Sequence, residues 1–137
     1  MVSHDAWQHT FRMFSKKLIV VEPVDAHLTS DAGLLPIRQF DQLIGLTKAM
    51  AGVLEDHRHA SWTQHGFIEM LRSRVFGILA DYEDQNDHDV LRSDPVFKLI
   101  AGRSPDADDL ASQPTLSRFE NAITVLMLRR LQDVFID

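Results

Sequence analysis

The densest group of potential metal ligands is the acidic stretch of residues 81–89, DYEDQNDHD. On a helix, Asp84 would share a face with Asp87 or with His88, so the spacing would allow a site for a hard cation or a site of mixed ligands. The same residue types more often cap helices and hold turns. The stretch also lacks the glycine and the closing glutamate of an EF-hand loop. We therefore expect a solvated turn that leads into a helix, with no metal site.

Three histidines, His57, His59 and His65, cluster near the start of a predicted helix, and two of them could in principle bind zinc. They lack the spacing of a known zinc signature, so we expect scattered surface or half-buried side chains. The chain has no glycine-rich phosphate loop and no nucleophile elbow, and Ser117 together with the histidines does not make a catalytic triad. The sequence therefore indicates no catalytic residue.

The segment most informative about binding is residues 104–123, SPDADDLASQPTLSRFENAI. A short helix, a tight turn at Ser112–Gln113 and a longer helix from Pro114 give the outline of a helix-turn-helix. Side chains able to contact phosphates or base edges would lie near the start of the second helix: Thr115, Ser117, Arg118 and Asn121. The turn lacks a glycine and the aspartates of the first helix would repel DNA, so an ordinary core helix remains the alternative.

The elements that would position these residues are mainly helices. Apolar residues recur at helical spacing over residues 36–54, with Ile37, Phe40 and Ile44 on the predicted buried face. A second helix is predicted over residues 62–79, and we expect the two to pack antiparallel. Residues 18–24 are typical of a β-strand, which must pair with another chain or with an absent part of the protein because a lone strand leaves its edges unpaired.

Capping signals predict the remaining helices. A short helix through Val90-Leu91-Arg92 follows the acidic stretch, and Asp94 can cap a helix that begins at Pro95 and ends before Gly102. Another short helix would run over residues 104–111. The last helix, from Pro114 onward, is apolar nearly all round over residues 122–128, which is typical of a helix that is buried on several sides or lies at an interface.

These elements predict a mainly α fold. We expect a helical bundle of about five helices with one N-terminal β-strand and a helix-turn-helix near the C-terminal part. Residues 1–17 would form an N-terminal arm and residues 18–137 the helical domain.

Composition fits one ordinary domain, since 137 residues with 45% hydrophobic content can bury a real core. The chain has no cysteine, which excludes disulfides, thiolate zinc sites and a cysteine nucleophile. The apolar run that starts at Leu18 stops at Glu22-Pro23, too short for a secretory signal or a membrane span, so we expect a cytoplasmic protein. The net charge is −6, and no basic patch is evident in the sequence, which counts against tight DNA binding by this chain alone.

Four blocks of the sequence resemble successive blocks of DDE-domain group 1 transposases. They match in order and in spacing, and together they cover roughly residues 18–137. The blocks are LTSDAGLL at residues 28–35, RVFGI at 74–78, YEDQNDHDVLRSDP at 82–95 and LASQPTLSRFEN at 110–121.

The resemblance implies a cut-and-paste transposase of a bacterial insertion sequence. Such an enzyme has an RNase H-like catalytic domain in which three carboxylates hold two divalent metals, and Mg²⁺ is the expected ion. In the family the first catalytic aspartate lies beyond the block that ends at Asn121, so none of the three is assigned to a position of this chain. We therefore expect the non-catalytic N-terminal part of a DDE transposase, inactive alone and with no cofactor of its own.

The resemblance also implies a role in binding the terminal inverted repeats of the transposon or in transposase assembly. The side chains expected to contact DNA are Lys16, Lys17, Arg72, Arg74, Thr115, Ser117, Arg118 and Asn121. The expected partners are the transposon ends, a second copy of the chain in a homodimer and the missing catalytic domain, with no membrane. The alternatives are an interaction or dimerisation domain, or a truncated remnant that binds no DNA of its own.

Overall fold

The structure, a computed structural model, describes residues 9–14, 17–21 and 29–136. The described residues form two β-strands followed by seven α-helices, which confirms the predicted mainly α fold. The strands are β1 (His9–Phe14) and β2 (Lys17–Val21). The helices are α1 (Leu34–Ile44), α2 (Leu46–Gly52), α3 (Phe67–Leu79), α4 (His88–Leu91), α5 (Pro95–Ala101), α6 (Gln113–Asn121) and α7 (Val125–Val134). No helix among these residues is long and apolar enough to cross a membrane.

The predicted strand pairs within the chain, which corrects the expectation that its partner would lie elsewhere. β1 and β2 form an antiparallel hairpin in which Thr10 lies opposite Val20 and Phe11 opposite Ile19. The partner strand lies inside the segment predicted to be an N-terminal arm. Its sequence, HTFRMF, alternates between polar and apolar residues only over residues 10–13, which is too short to give a clear period. Ile19 packs against the helical core and so fixes the hairpin to it.

The helix predicted over residues 36–54 is two helices, because the chain turns at Gly45. This glycine adopts a left-handed conformation with φ 73°, which ends α1 and starts α2. The face of α1 that is buried carries Leu34, Leu35, Arg38 and Asp41. The predicted buried stripe is wrong on this helix, since Ile37, Phe40 and Ile44 are exposed.

A buried ionic network explains why α1 turns its polar face inward. Arg38 donates through Nε to the carbonyl oxygen of Ile100 at 3.0 Å and pairs with Asp41 at 3.2 Å. The Asp41 carboxylate in turn accepts from the backbone N–H and the hydroxyl of Thr47, at 2.8 and 2.6 Å. Asp41 thereby satisfies an amide in the first turn of α2, and every charge in the network has a partner.

Helix α3 lies between two clusters of buried side chains and contributes to both. The first cluster joins α1, α4 and α5 and contains Leu34, Leu35, Phe76, Leu91, Val96, Phe97, Leu99, Ile100, Ala101 and Leu110. The second joins α2, α6 and α7 and contains Met50, Leu54, Phe67, Met70, Leu71, Ala111, Leu116, Phe119 and Met127.

Helix α5 follows its prediction at both ends. The Asp94 carboxylate accepts from the amides of Val96 and Phe97, at 2.8 and 3.1 Å, and Pro95 occupies the first turn. Gly102 ends the helix in a left-handed conformation with φ 106°. These signals act between near neighbours in the chain, which is why the sequence was sufficient to place them.

The predicted helix over residues 104–111 is wrong: the chain there forms turns and extended segments. Arg103 donates to the carbonyl oxygens of Asp108 and Asp109, and the Leu110 amide donates to the carbonyl oxygen of Arg92 at 3.0 Å. These contacts use backbone groups that a helix would need for itself. The helix-turn-helix that required this first helix is therefore not formed.

The last predicted helix is also divided in two. Helix α6 ends at Asn121, and the Thr124 hydroxyl accepts from the amide of Met127 at 3.3 Å as the N-cap of α7. The exposed apolar residues of this part lie on α7 and just after it, including Val125, Leu126 and Leu128.

Candidate nucleic-acid interface

A groove of about 580 Å³ lies between the loop after α2, the start of α3 and the start of α6. We call it the arginine groove, because Arg58, Arg92 and Arg118 line it. Its lining also includes Trp62 and one carboxylate, that of Glu55. Glu55 hydrogen-bonds to Arg130, and this bond is the main cause that holds the pKa of the carboxyl below its usual range. The negative charge of Glu55 is therefore compensated by Arg130, which lies outside the groove lining.

Arg58 forms one wall of the groove and is held rigidly. Its Nε and a terminal nitrogen donate to the two carboxylate oxygens of Asp56, at 2.8 and 2.7 Å, and it also donates to the carbonyl oxygen of His65 at 2.9 Å. The guanidinium carbon lies 4.8 Å from the ring centroid of Phe67, a cation–π contact. Arg58 therefore shapes the wall, while Asp56 offsets most of its charge.

Arg118 is more available to a ligand. It is exposed on α6, and its Nε donates to the carbonyl oxygen of Pro114 at 3.1 Å, so the guanidinium extends back toward the start of the helix. No described residue accepts a hydrogen bond from its terminal nitrogens. The hydroxyls of Ser112 and Thr115 lie 3.2 Å apart in the first turn and also line the groove. Arginine and hydroxyl donors at a helix N-terminus suit a phosphate group.

Arg92 carries an unsatisfied donor. Its Nε is buried and has no hydrogen-bond partner among the described residues, and the nearest carboxylate oxygen, of Asp109, is 3.5 Å away. Asp109 is instead engaged by the Ser93 hydroxyl at 2.9 Å and lies 3.3 Å from the Lys98 ammonium. The Ser93 bond is the main cause that lowers the pKa of Asp109. A buried donor without a hydrogen-bond partner is uncommon, but Asp109 still offsets part of the Arg92 charge, because the two groups form an ion pair.

The arginines predicted on α3 lie outside the groove. The Nε of Arg72 donates to the Thr47 hydroxyl at 3.0 Å, and burial lowers the pKa of this guanidinium, with a smaller contribution from Arg38. Arg74 bonds to the Glu120 carboxylate and donates to the carbonyl oxygen of Glu83 at 3.2 Å. Both side chains join elements of the fold.

The other predicted contacts are dispersed. Thr115 and Arg118 line the arginine groove, whereas the half-buried Ser117 and the exposed Asn121 do not. Lys17 begins β2, and Lys16 lies outside the described residues. Sequence reasoning missed Arg58, Arg92 and Trp62. The available signal was an aromatic residue and an arginine close to a polar connection, where neither belongs to the periodic apolar face of a helix.

Asp84 of the acidic stretch and two of the three predicted histidines form hydrogen bonds within the fold. Asp84 accepts from the Asn86 amide at 2.9 Å, which lowers the pKa of its carboxyl and confirms the predicted turn before a helix. His65 bonds to Glu69 at 2.6 Å, and His59 bonds to the Ser61 hydroxyl at 2.6 Å. Among the described residues, no three His, Asp or Glu side chains group closely enough to hold a metal ion.

Comparison with known proteins gives one family. The family model described as "Transposase DDE domain group 1" matches residues 11–137. No curated protein and no solved structure matches the chain.

Proposed function

Because the chain belongs to the transposase DDE domain group 1 family, which assigns it to DNA transposition, we propose that it binds the phosphate backbone of the transposon ends at the mouth of the arginine groove. The observation that carries this proposal is the pair Arg92 and Arg118, which line one groove and whose terminal nitrogens donate to no described residue. Guanidinium groups bind phosphate oxygens well, because their planar donors match the anion.

The charge distribution supports weak rather than tight binding by this chain alone. The net charge is −6, so duplex DNA would be repelled by much of the surface and attracted only at the groove. With two or three phosphates neutralised, the logarithm of the association constant should fall with the logarithm of salt concentration with a slope of roughly −2 to −3. A shallow slope of this kind fits a domain that assists a larger DNA-binding assembly.

We further propose that the domain takes no part in bond cleavage. A two-metal site needs several carboxylates with free oxygens pointing at one place. Here Glu69 is paired with Arg103, Glu120 with Arg74, and Asp41 with Arg38. In addition, no three His, Asp or Glu side chains of the described residues group closely enough to hold a metal ion, which supports the proposal that the Mg²⁺ ligands are supplied from outside the described residues.

Electrophoretic mobility and fluorescence anisotropy with a terminal-repeat duplex test the main proposal. Arg118→Ala should weaken binding by about tenfold or more, since a hydrogen bond to a charged group contributes ~1.5–3 kcal/mol and about 1.4 kcal/mol is a factor of ten. The same substitution should make the salt slope shallower by about 0.9 for each phosphate that the variant no longer neutralises.

The matched control is Arg129→Ala, which removes an exposed arginine from α7 and should leave affinity and slope unchanged. If both variants bind like the unmodified chain, the arginine groove is not the DNA site. If both weaken binding equally, the interaction is a general electrostatic one.

A second candidate function is assembly with a second copy of the chain. Helix α7 and the residues after it expose Val125, Leu126, Leu128, Phe135 and Ile136, each more than half exposed. Several large apolar side chains exposed on one short segment favour an interaction site there. Size-exclusion chromatography with light scattering should show a dimer that Leu126→Asp dissociates, while Val90→Asp, at an exposed apolar residue of α4, should not. A concentration-independent monomer would exclude this function for the chain alone.

A further inference from the structure

Trp62 is the aromatic side chain of the arginine groove that the fold leaves uncovered. It is 86% exposed, although tryptophan carries a large apolar surface. The two phenylalanines of the lining, Phe67 and Phe119, are buried and pack edge to face with ring centroids 5.1 Å apart. The indole thus offers a free aromatic face beside guanidinium groups, which is the combination that binds nucleotide bases and their phosphates.

The loop that carries Trp62 is anchored, so the indole is presented in a defined place. Trp62 ends a 3-10 helix (Ala60–Trp62), whose last amide donates to the carbonyl oxygen of His59 at 3.0 Å. The Thr63 hydroxyl donates to the same carbonyl oxygen at 3.0 Å. Further along, Arg103 donates to the carbonyl oxygen of Gln64 at 3.0 Å. A pre-ordered loop loses less conformational entropy when a ligand binds.

The size of the groove favours a single nucleotide. Its volume of about 580 Å³ lies within the range of ~300–1,000 Å³ usual for small-molecule sites, and a DNA duplex is far too wide to enter it. A base inside a duplex keeps both faces stacked on its neighbours, so it cannot stack on an indole unless it leaves the helix. The occupant must therefore be unpaired.

We propose that the arginine groove accepts an unpaired nucleotide of a DNA strand, with the base stacked on Trp62 and the adjoining phosphates bound by Arg92 and Arg118. This proposal rests on the proposed function, because it names the part of the DNA that enters the groove. Every base has an aromatic face, so the site should tolerate any base and should prefer a frayed or overhanging end to a blunt one.

The test measures the fluorescence of Trp62 in the full chain. The substitution Trp7→Phe leaves Trp62 as the only tryptophan of the chain. Three probes contain the same duplex. The first has a blunt end, the second carries a single-stranded thymidine overhang, and the third carries an abasic overhang of equal length. The thymidine overhang should quench the fluorescence and bind about tenfold more tightly than the other two, since stacking of one base on an aromatic ring contributes on that order.

Variants separate stacking from charge. Trp62→Ala should abolish the preference for the thymidine overhang over the abasic overhang without unfolding the chain, because this exposed side chain supports no core. Trp62→Phe should retain part of the preference. Arg92→Ala should weaken binding of all three probes by a similar factor.

The outcomes distinguish this proposal from the proposed function. Base stacking is overturned if the thymidine and abasic overhangs bind with equal affinity, or if the thymidine overhang leaves the fluorescence unchanged. In either case, an affinity for the blunt duplex that depends on Arg118 still supports the proposed function. Binding of the thymidine overhang through Trp62 with no binding of the blunt duplex supports the nucleotide site and contradicts the backbone role. If no probe binds, both proposals are wrong.

Discussion

His88 shows how one side chain in the acidic stretch became part of the core. The residue is 2% exposed, and its ring contacts Phe97 edge to face and accepts from Arg74 through Nε2 at 3.2 Å. The space for the ring exists because residue 77 is glycine: a Cβ there would lie 3.0 Å from His88 Nε2. Burial, with a smaller effect of Arg74, lowers the pKa of His88 from 6.5 to about 4.

This shift predicts a loss of stability in mild acid. Between pH 6.5 and 4 the unfolded chain binds a proton at His88 that the folded chain does not, so the free energy of unfolding falls as the pH falls through this window and is fully retained above it. From pH 7 to pH 5 the loss should be about 2 kcal/mol. Urea denaturation at both values measures it.

The matched variants are His88→Gln and His57→Gln. His57 is largely exposed, so its replacement should preserve the pH dependence, whereas replacement of His88 should remove most of it. If the free energy of unfolding of the His88→Gln variant still falls by about 2 kcal/mol from pH 7 to pH 5, other groups cause the acid sensitivity.

At the scale of the elements, the sequence predicted the features that depend on contacts between neighbouring residues and missed those that depend on contacts between distant residues. The Asp94 cap and the Gly102 terminus of α5 depend on contacts a few residues apart, and both were placed correctly. The exposed stripe of α1 depends on Arg38 reaching the carbonyl oxygen of Ile100, a residue from another helix, which no periodicity reveals. In the candidate site, Thr115 and Arg118 were found through their positions on α6, but Arg92 and Trp62 approach them only through folding.

The cap of α5 gives a prediction at this scale. Asp94→Ala removes the acceptor for two amides and for the Thr29 hydroxyl, which donates to it at 3.2 Å. The free energy of unfolding should fall by about 1–2 kcal/mol, the usual contribution of a cap. Asp106→Ala, at an exposed aspartate between α5 and α6, is the control and should change it by less than about 0.5 kcal/mol. Equal effects of the two substitutions in urea denaturation would contradict a capping role.

At the scale of the whole molecule, the arginine groove depends on both core clusters. Arg118 lies on α6, which packs through Leu116 and Phe119 into the second cluster, whereas Arg92 follows α4, whose Leu91 belongs to the first. Helix α3 connects the two, since Phe76 lies in the first cluster and Met70 in the second, each 1% exposed. The relative position of the two arginines is therefore set by a helix that neither of them belongs to.

If α3 couples the two clusters, a substitution that destabilises one cluster should also destabilise the other. Met70→Ala should lower the free energy of unfolding by about 2–5 kcal/mol, as expected when a fully buried methionine leaves a cavity. Amide signals of α5, in the first cluster, and of α6, in the second, should disappear at the same urea concentration, because one helix cannot keep half of its packing when the other half unfolds. Met127→Ala is the comparison, because it removes a buried methionine of the second cluster from α7. It should lower the free energy of unfolding, and the α5 and α6 amide signals should again disappear at one urea concentration. Separate midpoints for the α5 and α6 signals would mean that the clusters unfold independently, and the geometry of the groove would then have to be held by the contacts of Arg103 and Asp109 instead.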